Sequence, residues 1–218
     1  MVTKRSFFTI MKKLLLTISL LLSTLTINAQ TEVTKFLGIP IDGTKPEMIR
    51  KLKAKGFTES PLNQYLGEDV LEGEFNGYDV TVYVGTNKNK VYRIMLLDNV
   101  YLSESQIKTR FNILVNQFEN NENYYNSTDY TIPEDEDISY EMLVNNKRYE
   151  ALFYQYKKPT DDEITEDMSL YEYTSLLDNK RAESLNRCVW FRIVQQGSRY
   201  CICMYYDNEL NKANGEDL

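Results

Sequence analysis

The chain of 218 residues contains no histidine. That absence removes Ser-His-Asp and Cys-His nucleophilic mechanisms, the commonest general base near neutral pH, and zinc sites built on imidazole. Cysteine is scarce as well: only Cys188, Cys201 and Cys203 occur, all near the C-terminus, with no Cys-x-x-Cys redox pair among them. Glycine-rich phosphate loops are missing, and beyond the first 25 or so residues no apolar run approaches the ~20 needed to cross a bilayer. Basic charge is short too, with 25 Lys and Arg against 32 Asp and Glu.

The N-terminus has the order of a secretory signal. Lys12 and Lys13 follow Met11, which fits as the initiator; Leu14 to Leu25 are apolar; Thr26-Ile27-Asn28-Ala29 is polar and ends in a small residue. The expectation is export with cleavage after Ala29, to the periplasm or the outside of the cell. No cysteine follows the cut to carry a lipid. Lys4, Arg5, Lys12 and Lys13 would leave with the signal, so of 25 basic residues 21 remain against 32 acids, a net of −11. Such a chain disfavours nucleic acid and anionic membranes, because both are bound by neutralising phosphates.

Local patterns then predict the elements. Thr44 and Glu47 make a capping box with Pro46 in the first turn; Met48, Ile49 and Leu52 form a stripe; Gly56 supplies the stop, giving a helix over about 45–55. Asn76-Gly77 is the type I′ hairpin dipeptide. Pairing Phe75 with Tyr78 puts Leu71, Gly73, Phe75, Tyr78, Val80, Val82 and Val84 on a core face. Glu72, Glu74, Asp79, Thr81 and Tyr83 take the wet one. A third strand follows at about 91–97. Ser103 and Gln106 cap a second helix over about 104–119, striped by Ile107, Phe111, Leu114, Val115 and Phe118.

Residues 120–137 read as a loop, 138–144 and 149–156 as strands turning at Asn145-Asn146, and 157–186 as an acidic, partly helical excursion. A final hairpin over 187–194 and 199–206 turns at Gln196-Gly197, and the tail from Asp207 reads as frayed. Antiparallel runs with helices along one side argue an α+β fold, arranged as two tandem helix-plus-sheet units over 30–100 and 101–218.

The final hairpin carries the most unusual composition. Alternation sets Val189, Phe191, Ile193, Ile202, Met204 and Tyr206 on a core face. It leaves the only Trp, Trp190, with Arg192, Tyr205 and the three thiols on the other, which is either an interaction surface or a second small core under the excursion. Trp190, Arg192 and Tyr205, with Tyr83, Glu72 and Glu74 on the first hairpin, are the candidate binding residues. Cys188–Cys203 is a possible disulfide if the register brings them close, although the expected turn makes the pair diagonal. The acid runs 134–137 and 161–167 lack the EF-hand pattern and read as solvated charge.

The stretch from Phe36 to Phe57, FLGIPIDGTKPEMIRKLKAKGF, the hairpin from Gly73 to Val80, GEFNGYDV, and a signal ending Asn28-Ala29-Gln30 resemble uncharacterised secreted proteins of Bacteroidetes-type bacteria, a family with no activity to transfer. More distantly, a helix opened by Gly-Thr, closed by Gly and followed by antiparallel strands is similar to the β-lactamase inhibitor protein and to small outer-membrane-assembly lipoproteins. The second likeness implies a sheet whose uncovered face binds another protein. The expected function is a non-enzymatic binding or scaffold module for a protein or envelope partner, with no cofactor and no metal. The alternatives are a carboxylate-based glycan hydrolase and a structural subunit of an envelope assembly.

Overall fold

A computed structural model describes residues 32–66 and 69–212; the expected export signal and its cut site lie outside them. Five helices and ten strands form among the described residues, making an α+β fold. The helices are α1 (Lys45–Lys53), α2 (Asn63–Leu66), α3 (Glu104–Glu119), α4 (Ile138–Val144) and α5 (Leu170–Ala182). Strands β1 (Lys35–Phe36) and β2 (Ile39–Pro40) make a small ribbon. The other eight are β3 (Thr58–Glu59), β4 (Leu71–Phe75), β5 (Tyr78–Asn87), β6 (Lys90–Asp98), β7 (Tyr124–Tyr125), β8 (Glu150–Gln155), β9 (Arg187–Gln196) and β10 (Arg199–Asn208). They form one antiparallel sheet in the order β3-β4-β5-β6-β10-β9-β8-β7.

Turn chemistry sets the local pairing. Asn76 and Gly77 have φ of 52° and 76°, the left-handed pair of a type I′ turn, and Phe75 pairs with Tyr78. The last hairpin turns at Gly197-Ser198, one residue later than its sequence suggests, with Gly197 at φ 60° and Arg199 opposite Gln196. Helices α1 and α3 have the capping boxes read from sequence: Thr44 N–H donates to Glu47, and Ser103 N–H to Gln106.

One core unites both halves of the chain. Met48 and Leu52 of α1, Ile107, Phe111, Leu114 and Val115 of α3, and Ile138 of α4 pack with Val80, Val82, Ile94, Leu96, Val189, Phe191 and Ile202 in a single cluster. All these strand residues lie on one face of the sheet, and each fully buried aliphatic or aromatic side chain contributes ~1.5–3 kcal/mol. Phe191 meets Phe111 at 5.1 Å and stacks with Phe118 and Phe153.

Three expectations fail. Residues 138–144 form a helix, not a strand: Asp137 caps the N–H of Tyr140, and Asn146 takes φ 51° just past the end. Ile138, Tyr140, Met142 and Val144 also fit a period of two, but the pair that packs inward is Ile138 with Met142, one helical turn apart. The strand beside β8 is instead Tyr124–Tyr125, from the expected loop. The tail does not fray at Asp207, because Asp207 and Asn208 are the buried end of β10, 0% and 1% exposed. Asn208 Nδ2 donates to the carbonyl of Ile41, and the Thr34 hydroxyl to that of Asp207.

Candidate binding face

Among the described residues, the other face of the sheet has no helix packed along its middle. Pairing registers place its side chains in rows running across the strands. The central row is Tyr83–Met95–Tyr205–Trp190–Leu152, crossing five strands from β5 to β8. Beside it runs Glu72–Thr81–Leu97–Cys203–Arg192–Glu150, and on its other side Arg93–Asp207–Cys188–Tyr154–Tyr125. Five of the six candidate residues therefore fall in two adjacent rows. Glu74 stands one step further out, opposite Asp79, and is exposed.

The floor of this face is buried while its upper parts are part-exposed. Cys201, Cys203 and Tyr205 are 1%, 4% and 5% exposed, whereas Tyr83, Met95, Leu97, Leu152, Trp190, Arg192 and Val194 are intermediate. The acidic excursion does not roof it. Helix α5 fully buries only Lys180 and leaves Leu170 and Tyr171 78% and 82% exposed. Its contact with the sheet is at the β7 end, where Tyr125 donates to the carbonyl of Arg181.

Asp207 holds the aromatic centre in place. Arg93 binds it bidentately through Nε and Nη2, both at 2.6 Å, and Trp190 Nε1 donates to it at 3.0 Å. Trp190 then stacks on Tyr205 with centroids 3.9 Å apart and planes 12° from parallel. The Arg93 guanidinium lies 4.8 Å from the Tyr205 ring and 5.6 Å from Trp190, within cation–π range. Arg192 flanks the same stack on the other side, 5.8 Å from Tyr205 and 6.0 Å from Trp190. Burial, then the bond with Cys203, raises the Tyr205 phenol to about 12, with Arg192 pulling against it.

Alternation along β10 (201, 203, 205) continues to Asp207, so the signal for this carboxylate was present in the sequence, but the polar tail after it masked the reading. Arg93 is likewise the off-core position of its strand. What no pattern revealed is that these two residues face each other across the β6–β10 seam.

The disulfide does not form. Cys188 pairs with Asp207 and Cys203 with Arg192, so the two thiols are offset by four residues along the strands, ~13 Å at strand rise. All three cysteines are free and buried. Burial first, then neighbouring acids, pushes Cys188 up to about 12; burial also lifts Cys201 to about 11. Such thiols are poor nucleophiles.

The acid runs are more engaged than solvated loops. Glu136 accepts from Tyr149 Oη at 2.5 Å and pairs with Lys147, while Glu163 caps Thr160 and binds Lys180 at 2.6 Å. Among the described residues no group of three or more Cys, Asp or Glu could hold a metal ion, and no helix is long and apolar enough to cross a membrane. An open groove runs between the outer side of α3 and residues 132–134, with Glu134 the one carboxylate in its lining. It lies away from the aromatic rows. Comparison with protein-family models, curated proteins and solved structures finds no match to this chain.

Proposed function

We propose that the chain is an exported, non-enzymatic module that engages a protein partner through the helix-free face of its sheet. The observation that carries this reading is the convergence of Tyr83, Tyr205, Trp190 and Arg192, from hairpins far apart in sequence, on two neighbouring rows. Trp, Tyr and Arg dominate interface hot spots because they bring large contact area at small entropic cost. A pocket-forming enzyme would instead need concavity and convergent reactive groups. Glycan hydrolysis needs two opposed carboxylates across a fixed gap, and the groove beside α3 offers one.

Export rests on the order of charged, apolar and small-residue regions before Ala29.

The test is crosslinking in envelope fractions with wild type, Trp190→Ala, Arg192→Glu and, as a control on the distant groove, Ile113→Ala. The expected result is a discrete adduct lost in the first two variants and kept in the third, with unchanged circular dichroism throughout. An adduct pattern indifferent to Trp190 and Arg192 would retire this face.

A further inference from the structure

We infer that the partner places a carboxylate, an Asp or Glu side chain within an otherwise apolar segment, against Arg192; this rests on the reading of the face as a protein-binding surface. The arginines on the sheet and packed against it differ in how their charge is answered. Arg93 has Asp207 and Arg110 has Asp98. Arg192 is half-buried against Trp190 and Tyr205, and its Nε is buried with no hydrogen-bond partner.

Glu150 stands directly opposite Arg192 on β8, yet the two do not form an ion pair. The guanidinium leans on the rings instead. Among the described residues no carboxylate comes within ion-pair distance of it, although acids outnumber bases 32 to 25 in the chain.

A partner that covers Trp190 also strips water from this guanidinium. Burying an unpaired charge is strongly unfavourable, so a stable complex has to supply an anion there. The planar fork favours a carboxylate bound by two parallel hydrogen bonds. The surroundings choose a protein segment over a small anion: Met95, Leu97, Leu152 and Val194 spread part-exposed apolar area across several strands, whereas small-ligand sites are concave. The acidic rim of Glu72, Glu74 and Glu150 disfavours a partner that is acidic throughout, and of the two arginines against the Trp190–Tyr205 stack Arg93 is answered by Asp207, which leaves Arg192 to meet a negative group there.

The probe is a displayed library of random peptides panned on the immobilised protein, counter-selected on the Trp190→Ala variant. The expected pool carries an Asp or Glu beside aromatic or aliphatic residues. A synthetic peptide from that pool should lose about tenfold or more in affinity on Arg192→Gln. Exchanging the peptide's own Asp for Asn should cost the same, and the two losses should not add, which marks a direct pair. Arg192→Lys, which keeps the charge and the packing stem, should recover only part. Peptides that need Trp190 but tolerate Arg192→Gln, or carry no acid, would overturn the carboxylate while leaving the binding face intact. A pool indifferent to Trp190 and Arg192 alike would overturn both, and competition by free acetate or glucuronate at equal concentration would replace the protein segment with a small anion.

Discussion

On the covered face of the sheet Asp98 meets Arg110 through one 3.4 Å contact, whereas on the open face Asp207 meets Arg93 through two bonds of 2.6 Å. Both carboxylates lie in the same sheet, but Asp98 is met from helix α3 and Asp207 from the neighbouring strand, and the two pairs do different work. Under α3 the order comes from apolar packing, and the ion pair is a passenger: burial outweighs the single long contact and holds the Asp98 carboxyl above its ordinary value. Among the described residues the open face has no helix to order it. There the carboxylate fixes Arg93 and Trp190 directly, and Trp190 in turn fixes the stack on Tyr205. Where a helix covers a sheet, packing positions the side chains; where none does, hydrogen bonds must.

The largest effect expected from breaking the covered side is Phe191→Ala, which removes a fully buried ring touching Phe111, Phe118 and Phe153. It should cost about 3–5 kcal/mol in urea unfolding, and a loss under 1 kcal/mol would mean that the face is not packed as described. Asp207→Ala should cost about 2–3 kcal/mol, below the range for fully buried pairs because Arg93 keeps 24% exposure. Its distinguishing mark is spectroscopic: the near-ultraviolet circular dichroism of Trp190 should collapse while the far-ultraviolet signal persists. An unchanged Trp190 signal would show that Asp207 does not hold the ring.

The Asp98 pair sharpens the contrast through pH. A carboxyl raised above 3.8 on folding takes up a proton, so its contribution is fully favourable below pH 3.8 and is lost as pH rises through the folded value. Relative to Asp98→Asn, wild type should therefore gain stability as the pH is lowered towards that range; the opposite slope would mean that Arg110, not burial, governs this acid. The smallest effect is chemical. With Cys188 raised to about 12 and Cys201 to about 11, both thiols should resist alkylation at pH 8 in the folded protein and react once it is unfolded. Labelling of either in the native state would show that the floor of the open face breathes.

Much of this contrast is legible before any coordinates. The helix over 104–119, the Asn76-Gly77 turn, and the division of 187–206 into a core set and a Trp-Arg-Cys set follow from period and turn residues. The segment 138–144 fits both periods, and only the Asp137 cap and its docking beside α3 select the helix, with Glu104 accepting from Ile138 N–H. Asp207 obeys the alternation of its strand, but a lone acid before a polar tail gives no sign of being buried until Arg93 is opposite it.

Sequence by itself determined the elements and the two-sidedness of each hairpin, because caps, turns and side-chain periodicity act between residues a few positions apart. Tertiary structure decided that β6 lies beside β10, so that Tyr83 and Trp190 share one face and Arg93 finds Asp207 114 residues away. Alternation states which side of a strand is wet, but it is silent about which strand comes next. That choice belongs to contacts whose loop-closure cost and apolar gain are balanced across the whole chain.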